Sequence, residues 1–128
     1  KNKAKVLEKL KLWLKHDEIG MTKDQYLRMC EQTGEEIDWE KCPPELDDFP
    51  EPVITALTIF NCLGNRIYPD VGFIGKDYTN LSLLYKLYGI EETIEKDYIF
   101  ELLIFMDNKT QEDSRKRIKV EMDKIKRK

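Results

Sequence analysis

Four prolines within ten residues, Pro43, Pro44, Pro50 and Pro52, interrupt the middle of this 128-residue chain. Proline offers no amide donor and pushes its predecessor out of helical backbone, so no regular element is expected to cross this stretch. The segment from Glu35 to Pro52 reads EEIDWEKCPPELDDFPEP. Ile37, Trp39, Leu46 and Phe49 supply apolar anchors within it, which predicts an ordered, irregular strap pinned to a domain surface rather than a disordered linker. Regular structure must then be built on either side.

The strap is also the centre of a charge reversal. Residues 31–51 hold nine carboxylates against Lys41, a local net of −8. Residues 115–128 hold eight bases against Glu121 and Asp123, a local net of +6, and the first fifteen residues hold six lysines against Glu8. The near-neutral total of −3 hides a basic–acidic–basic layout. Such segregation points to docking surfaces rather than to an active site.

Outside the strap the apolar spacing is helical. Val6, Leu7, Leu10, Trp13 and Leu14 predict an amphipathic helix over 2–16, closed by Gly20. Thr22 and Gln25 have the spacing of a capping box opening a second helix, which Gly34 stops. Pro52 suits the first turn of a third helix over about 52–63. That helix is apolar on most sides and is expected to be the most buried. The following RIYPDVGFIGKDYTN carries turn chemistry, and Ile67-Tyr68 with Phe73-Ile74 fit either a small hairpin or a structured loop. A fourth helix runs from Thr79 or Asn80 to Tyr88, stopped by Gly89 with Ile90 as its apolar contact. A fifth starts near Thr93 and keeps a broad apolar face to about Met106. Asp107-Asn108-Lys109-Thr110 is open to either a kink or continuation. Beyond it, Ile118, Met122 and Ile125 form a thin seam on a charged helix that needs a partner to bury it.

The fold expected is all-α: about five helices, an acidic proline strap, one Gly-rich loop with a possible tiny hairpin, and a long basic C-terminal helix. The organisation expected is an N-terminal basic amphipathic helix over 1–20, a compact helical domain over 21–106 and the basic helix over 107–128. The length suits a single globular core. No stretch reaches the apolar length of a membrane span, and no signal peptide is read at the start. Because residue 1 is Lys rather than Met, the sequence is expected to be a piece of a longer chain.

Catalytic chemistry finds little footing. Cys30, Cys42 and Cys62 show no C-x-x-C pair and are expected to be reduced thiols. His16 is the single histidine, Ser82 and Ser114 lack a G-x-S-x-G turn, and nothing singles out one carboxylate pair. Glu45, Asp47, Asp48 and Glu51 form no D-x-D-x-D-G loop, so a solvated or docking surface is expected rather than a metal site. Gly75-Lys76-Asp77 lacks the first glycine and the hydroxyl of a phosphate loop. Neither a catalytic residue nor a metal or cofactor is expected.

Two surfaces remain. The strap, with Trp39, Glu45, Leu46, Asp47, Asp48 and Phe49, is the expected protein-binding surface. The tail, with Arg115, Lys116, Arg117, Lys119, Lys124, Lys126, Arg127 and Lys128, is suited to a protein partner or to nucleic-acid phosphates. Aromatic residues are missing after Phe105, so no base-stacking platform accompanies that charge.

Three segments carry a family resemblance: MTKDQYLRMCEQTGEE (21–36), PPELDDFPEPVITALTIFNCLGNR (43–66) and GFIGKDYTNLSLLYKLYGI (72–90). Together, over about residues 21–106, they resemble small proteins encoded among tailed-bacteriophage morphogenesis genes. The PPEL-x-D-x-P element is also similar to tail-assembly chaperone-type proteins. The resemblance implies a non-enzymatic assembly or virion protein, without cofactors, in the host cytoplasm during assembly or in the virion. Its implied partners are larger phage structural or assembly proteins and other copies of itself, with no membrane. A nucleic-acid-associated protein using the basic tail is the alternative.

Overall fold

The computed structural model describes residues 2–14 and 22–126, with the side chains of Asn2 and Lys3 left aside. Gly20, His16, Arg127 and Lys128 lie outside the described residues. The chain forms two compact units, Lys1–Pro50 and Glu51–Lys128.

In the first unit, α1 (Asn2–Leu14) and α2 (Lys23–Thr33) precede the strap, which contains one 3-10 turn at Leu46–Asp48. The α2 start is the capping box read from the sequence. The Gln25 amide donates to Thr22 Oγ1 at 3.2 Å, and the Thr22 amide donates to Gln25 Oε1 at 3.0 Å. Gly34 ends the helix in left-handed backbone (φ 74°), its amide returning to the Cys30 carbonyl. Leu10, Cys30, Cys42 and Phe49 are buried in this unit, as are Pro43 and Pro44.

In the second unit the order is α3 (Glu51–Cys62), β1 (Gly64–Tyr68), β2 (Gly72–Asp77), α4 (Leu81–Leu87) and α5 (Thr93–Lys126). The architecture is therefore five helices plus a two-stranded antiparallel sheet among the described residues, not purely all-α. The hairpin forms because Asp70, at φ 68°, and Gly72, at φ 87°, supply the left-handed backbone a tight reversal needs. The register slips between Arg66 and Ile67, leaving Ile74 as the bulged residue opposite them. β1 is exposed along its length, whereas Gly75 and Lys76 of β2 are buried.

Helix α3 contributes Val53, Ala56, Leu57, Ile59 and Phe60 to the core, and α5 contributes Ile99, Leu102, Leu103 and Met106. Helix α4 ends as the Gly89-Ile90 pattern predicts. The Ile90 amide reaches the Tyr85 carbonyl at 2.9 Å, and Ile90 itself is buried.

The tail is not a separate helix. α5 runs unbroken for 34 residues, about 50 Å at 1.5 Å per residue. The Asp107–Thr110 stretch stays helical because its polar groups find partners on the helix. Thr110 Oγ1 donates to the Met106 carbonyl at 2.8 Å, and Lys109 pairs with Asp113 at 3.1 Å with both side chains largely covered. Nor does the whole C-terminal seam await a partner: Ser114 is buried and Ile118 is half-buried against Gly72 of the hairpin. Only Met122 and Ile125 remain widely exposed on it, at 55% and 72%.

Candidate functional site

The strap is fixed by side chains of the first unit. The Tyr26 hydroxyl donates to the Asp38 carbonyl at 3.3 Å and accepts the Asp38 amide at 3.2 Å, so one phenol holds both backbone groups of one residue. Asp38 then closes a turn. Its carbonyl accepts the amides of Lys41 and Cys42 at 3.0 Å, and its carboxylate accepts the Glu40 amide at 3.1 Å. Trp39 stands at the tip of that turn, 61% exposed.

Further along, Lys23 of α2 bonds both carboxylate oxygens of Asp48 at 3.0 Å, and Asp48 Oδ2 also accepts the Glu45 amide at 2.9 Å. The Glu45 amide bond, followed by the Lys23 charge, holds the Asp48 carboxyl below its ordinary range. The same carboxylate raises the Lys23 ammonium. The Phe49 ring is buried and meets Trp13 of α1 edge to face, centroids 5.9 Å apart. Burial pushes the Cys42 thiol up, so it is a covered thiol rather than a reactive one.

The six strap residues expected to bind a partner therefore divide. Phe49 is a core residue and Asp48 is tied to Lys23 and Glu45, so these two shape the strap. Trp39, Glu45, Leu46 and Asp47 face outward. The Trp39 indole overhangs a groove of about 790 Å³ whose other wall is α1, with Ala4 and Leu12 among its apolar lining and Lys5, Lys9, Glu8, Glu40 and Lys41 at its charged positions. An exposed indole on a turn whose backbone is held, beside an open groove, has the form of an interface anchor, since the backbone is ordered before binding.

Arg115, Lys116, Arg117, Lys119, Lys124 and Lys126 are exposed on α5, while Arg127 and Lys128 lie outside the described residues. Lys116 pairs with Glu112 at 2.9 Å, holding that carboxyl below its ordinary range, and Lys124 pairs with Glu121 at 3.5 Å. Arg115, Ile118, Lys119 and Met122, with Asp70 and Val71 of the hairpin, line an open groove of about 400 Å³.

The most unusual chemistry sits in the core, on residues that the sequence reads only as a glycine-rich turn and as a polar stretch of a helix. Asp107 of α5 is buried and accepts the Lys76 amide at 3.2 and 3.3 Å, the Tyr78 hydroxyl at 2.6 Å and Gln111 Nε2 at 3.1 Å. Lys76, equally buried, carries its ammonium to the Leu63 carbonyl at 3.3 Å, just past the end of α3, and over the Phe60 ring at 4.4 Å. A cation there complements the negative end of the helix and the face of the ring. Burial lowers the Lys76 ammonium, with the Asp107 charge opposing. Burial and the Asp107 bond push the Tyr78 phenol far above its ordinary range. Every buried side-chain polar atom among the described residues has a partner. This cluster ties β2 to α5.

Among the described residues no group of three or more His, Cys, Asp and Glu side chains is placed to hold a metal ion, and no helix is long and apolar enough to cross a membrane. Compared with known proteins, the chain matches no family model, no curated protein and no solved structure.

Proposed function

We propose that this is a non-enzymatic docking protein of bacteriophage assembly, which recognises a larger phage structural or assembly protein through the acidic strap. The observation that carries the reading is Trp39: an indole 61% exposed, yet mounted on a turn fixed by Tyr26 and by Asp38. Aromatic anchors ringed by charge are where interface energy concentrates. Glu45, Leu46 and Asp47 extend the same surface. The resemblance of residues 21–106 to small morphogenesis proteins supports phage proteins as partners. The nucleic-acid alternative has weaker support, because Lys116 and Lys124 of the tail are engaged by Glu112 and Glu121 on their own helix.

The test is affinity purification from phage-producing cells with the wild-type chain and with Trp39→Ala. A larger phage protein should co-purify with the wild type and be lost with the variant. Equal recovery by both, or recovery of nucleic acid alone, overturns the reading. Mass spectrometry of purified particles then separates a virion component, which is retained, from an assembly factor, which is absent.

A further inference from the structure

We propose that copies of this protein associate, the acidic strap of one copy seating on the groove between the hairpin and α5 of another. The inference rests on the docking reading above and names the chemistry that the strap recognises.

The groove has what a strap-binding surface requires. Its floor is apolar, made by Val71, Ile118 and Met122, and Val71 and Met122 are each more than half exposed. Arg115, Lys119 and Lys126 stand along it with Asp70 and Asp123, so the bases outnumber the acids by one. Between residues 115 and 126 six bases face two acids, a net of +4, whereas residues 31–51 carry −8. The strap presents the matching elements, with Trp39 and Leu46 as exposed apolar groups among Glu40, Glu45 and Asp47. The groove, at about 400 Å³, has room for an indole ring.

Charge decides which surfaces meet. A contact of strap on strap sets like charges against each other, whereas strap on groove does not. The favourable pairing joins two different surfaces, which two copies can exchange reciprocally or extend to further copies. A larger partner with a basic, apolar-floored groove competes for the same strap.

Sedimentation velocity of the full chain over a concentration series, at low and high salt, tests this. The expected result is a mass that grows with concentration and shrinks as salt screens the contact. Trp39→Ala and Met122→Asp should each weaken association by roughly 30-fold or more, as loss of an interface anchor does. Both positions are exposed, so circular dichroism should show an unchanged fold, and Lys119→Glu provides a second groove variant. The decisive measurement mixes the two weakened variants. Trp39→Ala retains an intact groove and Met122→Asp an intact strap, so the mixture should form a one-to-one dimer that grows no further. A chain that stays monomeric into the hundred-micromolar range overturns the proposal, as does a mixture no more associated than its components. In either case the co-purification result with Trp39→Ala still stands, so failure of self-association is distinguishable from failure of the docking reading.

Discussion

The Tyr78 hydroxyl donates to Asp107 across 2.6 Å, tying the residue after β2 to the middle of α5, 29 positions further along the chain. A charge-assisted bond this short inside a covered site is worth more than an ordinary surface bond. It is one of several: the Lys76 amide and Gln111 converge on the same carboxylate. Removing the acceptor leaves several donors stranded. Asp107→Ala is therefore expected to cost about 3 kcal/mol in urea unfolding, against about 1–2 kcal/mol for Tyr78→Phe. The two losses should not add, because they share a bond. A cost for Asp107→Ala within experimental error of zero would show that the carboxylate does not hold the hairpin.

The same pair sets a base limit. Tyr78 ionises far above the ordinary phenol range in the folded chain, so the unfolded chain loses that proton first as pH rises. The stabilisation it gives is complete below the unfolded value near 10 and is lost progressively above it. Lys76, whose ammonium is depressed by burial, acts in the opposite sense, its penalty fading as it deprotonates. Ultraviolet titration of the folded chain should show one of the six tyrosines ionising last, and Tyr78→Phe should remove that one. Persistence of the late step in the variant would reassign it.

Gly72 allows α5 to approach the hairpin. A Cβ there would stand 2.7 Å from Ile118 Cδ1, and its φ of 87° disfavours any side chain. Gly72→Ala should cost about 1–3 kcal/mol, the sum of a backbone and a steric term. Adding Ile118→Ala to it should recover the steric part alone. Full recovery would mean that backbone strain contributes nothing.

Asp107, Tyr78 and Ile118 also mark where the sequence stops being readable. Caps and stops are local, and Thr22 with Gln25, Gly34, and Gly89 with Ile90 stand in the roles their spacing predicts, because each needs only neighbours within six positions. Asp107 looks like a polar interruption of an apolar face, and its burial depends on Lys76 and Tyr78, some thirty residues away. The sequence fits the hairpin and a structured loop equally well, because the strands are short and the turn suits both. Ile118 carries no sign of the hairpin that half-covers it. Within the strap, Trp39 and Phe49 are both aromatic residues among acids and prolines. Phe49 is buried and meets Trp13, whereas Trp39 stands outside, a difference that tertiary packing decides.

The Lys23–Asp48 pair should be visible as an acid limb. The Asp48 carboxyl titrates below its ordinary range, so its contribution is present above the unfolded value near 3.9 and is lost as pH falls through the folded one. The side chains retain about a quarter of their exposure, which limits the pair to less than about 1 kcal/mol. Asp48→Asn should flatten the acid transition slightly and leave stability at neutral pH nearly unchanged apart from that amount. A large loss at neutral pH would show that the Lys23 charge pairing holds the strap more strongly than a surface pair does, because the asparagine oxygen can still accept the Glu45 amide.

Trp39 and Phe49 give the sharpest contrast, because they lie ten residues apart on one strap and differ in what surrounds them. Phe49 is buried against Trp13, so Phe49→Ala removes a packed ring and should cost about 3–5 kcal/mol. It should also release the strap and weaken partner binding indirectly. Trp39 is mostly in solvent, so Trp39→Ala should change stability by less than about 0.5 kcal/mol while abolishing co-purification of the partner. Stability and binding would then separate at one position and fall together at the other. If Trp39→Ala instead destabilised the chain by several kcal/mol, the indole would be a structural group lying over its groove, and recognition would have to be assigned to Leu46 and the neighbouring carboxylates.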